Sequence, residues 1–245
     1  MDYGTINLAS TLRALSSMQD TIANNIANVA STGFKRRQGA IVPFESEMAR
    51  ANGQREGVSA FQEFPDLEQG DLIATGNKMD TALQGDGFLM LARKSDPDNV
   101  FYSRGGSLAR SSEGELVTKE GYLVLGEDRK PIELGDEGNI LIRNSGEIIS
   151  GRTGDRLASL GVYRFDKPDA LQSLGAGLYR ETPATGEAIP DRFTQVVQGS
   201  LERSNVNSVM EMVSMISTQR HFGAITRALH TVNQITSQLF QMAQS

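Results

Sequence analysis

Cysteine and tryptophan are absent from this 245-residue chain, and histidine occurs only twice. Without cysteine there is no disulfide framework, no thiolate nucleophile and no cysteine-based metal site. The two histidines, His221 and His230, stand nine residues apart, which puts them on opposite faces of a helix, where they cannot share a metal. Aromatic residues make up only 6%, lean for a globular enzyme, although 38% hydrophobic residues is too many for a wholly disordered chain. Long apolar runs are missing too, so no segment reads as membrane-spanning. The start, Met1-Asp2-Tyr3-Gly4, shows none of the basic, apolar and small-residue parts of a cleaved secretory signal. Nor is there a Gly-x-Ser-x-Gly elbow, a phosphate-binding Gly-x-x-x-x-Gly-Lys loop or a His-Glu-x-x-His helix. No enzyme, cofactor or metal is expected. A net charge of -6 argues against nucleic acid, and the one dense basic run, Lys35-Arg36-Arg37, reads as a solvated or interface cluster.

Charge is also missing from both ends. Residues 1–32 carry only Asp2, Arg13 and Asp20, and residues 204–245 only Glu211, Arg220 and Arg227, histidines aside. These six cancel, so 21 bases and 27 acids, and with them the whole imbalance, lie between the ends. Both ends are nonetheless periodic. Leu8, Leu15, Ile22 and Val29 recur every seven residues, with Leu12 and Ile26 on the companion position and Gln19 as its polar member. That is the narrow seam of a coiled coil. At the other end Val209, Val213 and Ile216 begin a stripe. After a phase slip, Ile225, Ala228, Val232, Ile235, Leu239 and Met242 continue it. The opposite faces are Ser, Thr, Asn, Gln and Ala. A polar but uncharged face can be packed against neighbours without stranding charge. The ends are therefore expected to form a helical pair that packs into something larger, and to be poorly ordered before it does so. A helical hairpin closed over the middle is the plainer alternative.

The middle reads differently. Residues 33–79 mix Gly, Glu, Arg and Phe without a clear period and are expected to form an extended connector, with turns at Asn52-Gly53 and Gly57. From about Asp80 to Val197 short apolar runs alternate with turns. The runs are 87–92, 115–118, 122–125, 139–142 and 161–165. They indicate a small antiparallel β domain. Gly85-Asp86-Gly87 opens like a dinucleotide fingerprint, but Met90 stands where the third glycine belongs and no helix follows, so a tight turn before Phe88 is expected. The class is α+β: a discontinuous, coiled-coil-like helical domain (1–32 and 198–245) flanking a connector (33–79) and a β domain (80–197).

Several of these stretches together carry a resemblance. Ile22 to Lys35 (IANNIANVASTGFK) resembles the N-terminal signature of the flagellar rod and hook family of axial proteins. Gln84-Gly85-Asp86-Gly87-Phe88 is similar to that family's first β-domain motif. Tyr102-Ser103-Arg104-Gly105-Gly106-Ser107, with Leu116-Val117-Thr118 and Gly121-Tyr122, is similar to the next. Gly177-Leu178-Tyr179, with Thr182 and Gly186, resembles the block before the C-terminal domain. Gln198 to Asn207 (QGSLERSNVN), with Met212-Val213, Ile216 and Gln219-Arg220, resembles the C-terminal signature.

The resemblance implies a structural subunit of the flagellar basal body. It would be exported uncleaved through the flagellar type III export apparatus and assembled with copies of itself and with other rod and hook axial proteins into a torque-transmitting tube. No nucleic acid and no membrane insertion is implied. The polymer interface would comprise Leu8, Leu12, Leu15, Ile22, Asn24, Asn25, Ile26, Asn28 and Val29, with Val209, Val213, Ile216, Ile225, Val232, Ile235 and Leu239. Asn24, Asn25 and Asn28 would supply hydrogen bonds between subunits. Thr32-Gly33 would stop the first helix and Ser204 or Asn205 would cap the last. The Met212–Ile216 run and Arg220-His221-Phe222 favour the proximal rod over the distal rod. A rival from another class is a secreted β-domain binding module that dimerises through its terminal helices.

Overall fold

The computed structural model describes residues 3–44 and 58–243, in two compact units. The turns expected at Asn52-Gly53 and Gly57 lie outside the described residues. One unit holds residues 3–27, 37–44, 58–64 and 206–243, and the other residues 28–36 and 65–205.

The first unit contains helix α1 (Tyr3–Ala27), helix α2 (Ser208–Ala243) and a two-stranded sheet of β1 (Arg37–Phe44) and β2 (Val58–Pro65). The helices run alongside each other, and Asn25 near the end of α1 meets Glu211 in the first turn of α2, so they are antiparallel. On α1 the buried side chains are Ala14, Leu15, Thr21, Ile22 and Asn25. On α2 Glu211 and Thr218 are buried, and Ile225 and Val232 continue the same seven-residue repeat half-buried. The Leu8–Leu15–Ile22 repeat therefore does face inward. Its companion positions are rotated, however: Ala14, Thr21 and Asn25 are buried, while Leu12, Gln19 and Ile26 are half-buried, as are Thr11 and Met18. Asn25 explains the rotation. Its side-chain nitrogen donates to the Arg37 carbonyl (2.8 Å), and its oxygen accepts from the Arg37 amide (2.9 Å), so α1 turns this polar residue inward to dock the start of β1.

α1 ends at Ala27, five residues before the expected stop. Past it the Ser31 hydroxyl donates to the Asn28 side chain (3.1 Å), drawing the backbone into a turn. Gly33 is left-handed (φ +68°), but it caps no helix. A Cβ there would lie 2.6 Å from the Gly105 nitrogen, so the position is set by close backbone approach. At the other end Asn207, not Ser204 or Asn205, caps α2, its side-chain oxygen accepting from the Val209 and Met210 amides at 3.1 and 3.2 Å.

The second unit is built on an antiparallel sheet with the order β14 (172–175), β15 (178–180), β6 (96–103), β5 (88–93), β9 (123–124), β8 (116–118), β7 (108–110). β13 (162–164) also pairs with β5. β5 carries the longest apolar run because both its faces are covered. Leu89 and Leu91 enter one core with Phe101, Leu116 and Val124, and Phe88, Met90 and Ala92 enter another with Tyr102, Phe165 and Tyr179. The second core is aromatic, with Tyr102 and Phe165 edge-on at 4.8 Å and Phe88 edge-on to Tyr179 at 5.8 Å. Beside this sheet lie a three-stranded sheet, β10 (140–142), β11 (147–150) and β12 (156–159), and two strand pairs. One pair joins β17 (195–198) to β4 (81–84), the other β18 (200–202) to β3 (72–74).

The segment read as an extended connector carries three strands among its described residues. β1 and β2 pair with each other, and β3 pairs with β18 nearly 130 residues later, Ile73 facing Leu201. Pairing with so distant a partner leaves no periodic trace in a three-residue strand. β6 is absent from the apolar runs of the sequence, since it opens on Asp96-Pro97-Asp98. The reversal falls one step earlier, at Lys94-Ser95, and Pro97 sits near the strand start, where it is tolerated.

Candidate functional site

The most densely bonded group of side chains lies inside the second unit, where four of the sequence motifs converge. Lys35, two residues past Gly33, has its side chain sealed from solvent, as has Glu202 on β18 (0% exposed each). Lys35 Nζ donates to Glu202 Oε1 at 2.5 Å and to the Glu68 carbonyl at 2.7 Å. The other carboxylate oxygen, Oε2, accepts from Nε of Arg104 at 3.1 Å, and Oε1 also takes the Gly70 amide at 2.9 Å. Arg104 is buried at the end of β6. Its two terminal nitrogens donate to the carbonyls of Gly85 (2.7 Å) and Gly87 (3.2 Å), and its guanidinium lies over the Phe88 ring at 5.6 Å. The Gly85-Asp86-Gly87 turn between β4 and β5 is thus a carbonyl cradle for an arginine. A Cβ on Gly87 would lie 2.5 Å from the Val162 side chain, and the Gly87 amide is bonded by Thr194 Oγ1 at 2.9 Å.

Asn205 lies three residues beyond β18. Its oxygen accepts from the Arg36 amide (2.7 Å), and its nitrogen donates to the carbonyls of Asp66 (2.9 Å) and Glu68 (3.0 Å). One amide thereby ties together three separate chain segments. Asn205→Ala is expected to lower the stability of this unit by about 2 kcal/mol, read as a fall in melting temperature, since three backbone groups lose their partner. An unchanged melt would mean water replaces the amide in full.

Two cations share one carboxylate, so the cluster carries an excess positive charge. Burial first, and then Arg104, holds Lys35 below the ordinary lysine value of 10.5, against the pull of Glu202. The folded chain releases that proton at lower pH than the unfolded chain, so the unfolded state binds more protons in the window below 10.5. Stability contributed by this group therefore rises with pH there, leaving Arg104 and Glu202 as a balanced pair. The melting temperature of the wild type relative to Lys35→Met is expected to climb as pH goes from neutral toward 10.5. A flat difference would contradict the assignment.

An amine of lowered pKa beside a carboxylate is also what a catalytic site needs. Here every oxygen of Glu202 is engaged and neither side chain reaches solvent, so no substrate has access. The arrangement locks chain segments together. Lys35 is accordingly not part of a solvated basic run; Arg36 and Arg37 are half-buried and face Asp66 (3.9 Å) and Glu63 (3.5 Å) respectively. The signal for the lock was a charged residue inside each of three motifs, Lys35, Arg104 and Glu202, but nothing in sequence says that they meet.

The residues expected at a polymer interface fall into two groups. Leu15, Ile22 and Asn25 are buried within the first unit, and Ile225 and Val232 are half-buried on the corresponding side of α2. Leu8, Leu12 and Ile26 are half-buried and Asn24 is exposed. Asn28 and Val29 belong to the second unit, past the end of α1, and are half-buried. Val209, Val213, Ile216 and Ile235 point outward, exposed at 66%, 58%, 51% and 52%. The side chain of Leu239 lies outside the described residues. The phase slip in the sequence marks this division: Val209, Val213 and Ile216 before it lie on the outward face of α2, and Ile225 and Val232 after it fall on the inward face, which runs through Glu211 and Thr218. Among the described residues no group of three or more His, Asp or Glu could hold a metal, and His221 and His230 are both exposed.

Helices from both chain ends make up one unit, and the other is a β unit whose signature residues form a sealed lock. Comparison with known proteins gives the family. Three family profiles match in order: "Flagella basal body rod protein" at residues 7–35, "Flagellar hook protein FlgE/F/G D1 domain" at 82–150 and "Flagellar basal body rod FlgEFG protein C-terminal" at 197–242. The flagellar basal-body rod protein FlgG of Agrobacterium fabrum is 30% identical over 89% of this chain and 90% of its own length. The rod proteins FlgF of Rhizobium meliloti (32%, covering 92% and 91%) and of Mesorhizobium japonicum (35%, covering 85% and 84%) are similarly related. The chain belongs to the flagellar basal-body rod protein family, whose members are structural proteins and not enzymes.

Proposed function

We infer that this chain is a subunit of the proximal rod of the flagellar basal body, polymerising through α1 and α2 with copies of itself and with other rod and hook axial proteins. The terminal helices would pack in coiled-coil fashion as the inner tube, and the β unit would form the outer layer. The observation that carries this reading is the outward stripe of α2. Val209, Met210, Met212, Val213 and Ile216 are all more than half exposed, on a helix with no charged residue between Glu211 and Arg220. Water is a poor partner for such a face, and a neighbouring uncharged helix is a good one. The proximal position is favoured by the Met212–Ile216 run and by Arg220-His221-Phe222. Delivery through the flagellar export apparatus fits a chain in which no described helix is long and apolar enough to cross a membrane.

Deleting the gene and imaging the remaining basal bodies by electron microscopy tests the assignment. The expected result is a rod interrupted in its proximal part with everything beyond it missing. A proximal rod lacking only its distal length and the hook would transfer the protein to the distal rod. Unaltered basal bodies would overturn the axial reading.

A further inference from the structure

Two arginines of the β unit lie against aromatic rings, and among the described residues their side chains are bonded to nothing else. Arg180 follows Tyr179 on β15, whose pairing with β6 sets Tyr179 opposite Tyr102 and so brings Arg180 beside Phe101. Its guanidinium carbon lies 5.4 Å from the centre of the Phe101 ring. Arg93, at the end of β5, lies 5.3 Å from the same centre and 5.8 Å from that of Tyr122, which stands edge-on to Phe101 at 5.9 Å. The two guanidinium carbons are thus within twice the ring distance of one another, on a platform whose central ring is buried in the core.

Aromatic faces orient a guanidinium but satisfy none of its N–H groups. Among the described residues neither arginine has an ion pair or a hydrogen-bond acceptor, and Nε of Arg180 is buried without a partner. The acids at hand are otherwise engaged: Glu113 and Glu115 meet Lys94, and Glu181 accepts from the Tyr102 hydroxyl. In a chain with six more acids than bases, two unpaired cations on one ring stand out. Their donors are planar forks, held ready, of the kind that takes a carboxylate through two parallel hydrogen bonds.

The geometry points to a carboxylate-binding site at Arg93 and Arg180, with Phe101 and Tyr122 as its floor. Two sources share that chemistry: an Asp or Glu side chain of a second copy's β unit, and a small free carboxylate. The surplus of acids lies in the part of the chain that contains the site, so each copy carries both the donors and an excess of acceptors.

The test titrates the full chain with sodium acetate against sodium chloride at constant ionic strength, following the arginine Nε–Hε resonances by NMR. The Arg93 and Arg180 resonances are expected to move saturably, while that of exposed Arg164 drifts linearly. Arg180→Lys, which keeps the charge and loses the fork, is expected to weaken acetate binding about tenfold. Without acetate, movement of the same resonances on raising the protein concentration assigns the carboxylate to a second copy. No such movement, with saturable acetate binding, assigns it to a free ligand. Linear drift at both arginines, or undiminished binding by Arg180→Lys, overturns the proposal. The readout needs no polymer, so its failure leaves the rod assignment untouched.

Discussion

Glu202→Ala is expected to destabilise the β unit by about 3–5 kcal/mol, because it leaves Lys35 and Arg104 as two buried cations with no counter-charge. For a unit of this size that is a fall of roughly 10 °C in melting temperature, measurable by circular dichroism of the whole chain. The effect exceeds that of losing an exposed ion pair because neither cation can turn to water. Replacing all three residues by methionine or leucine removes the stranded charge and is expected to recover part of the loss. Recovery stays incomplete, since the carbonyls of Glu68, Gly85 and Gly87 and the amide of Gly70 then lack their partners. A single Glu202→Ala variant melting within about 2 °C of wild type would show that the cluster carries no such strain.

The second large effect separates the two faces of the helical unit. Ile216→Asp is expected to abolish swimming while leaving the melting curve of the purified chain unchanged, because the side chain is already half exposed. Leu15→Glu is expected to abolish both. It removes a buried leucine, worth about 2–5 kcal/mol, and puts a carboxylate in an apolar position. Complementation of a deletion strain on soft agar, beside thermal melts of the purified variants, reads the two outcomes. Normal swimming by the Ile216→Asp strain would remove the outward stripe from the polymer interface.

The helices and the antiparallel β content were legible because period and turn chemistry are local signals. The Leu8–Leu15–Ile22 repeat and the Phe88–Ala92 run each state a burial pattern within a few residues of sequence. What was not legible depends on distant partners. The seam of α1 is rotated because Asn25 bonds the backbone of Arg37, a demand that no count of apolar positions contains. β3 exists only because β18 pairs with it. Lys35 looked solvated because it sits in a basic run, and its burial depends on Arg104 and Glu202, which come 69 and 167 positions later. The phase slip in α2 was visible, but its meaning, a helix with two apolar faces of different use, needed the neighbour that covers one of them.

The separation between Lys35 and Glu202 also sets an order of events. Joining them closes a loop of 167 positions, whose entropy is about 4–5 kcal/mol on a flexible-chain estimate, and no shorter pairing supplies the carboxylate. β3 and Gly70 wait on the same late strand. A polypeptide passed through a narrow conduit amino end first would therefore remain unable to finish this unit until Glu202 had emerged. The tertiary structure thus carries its own delay, since the unit commits to its shape only once that late strand is present.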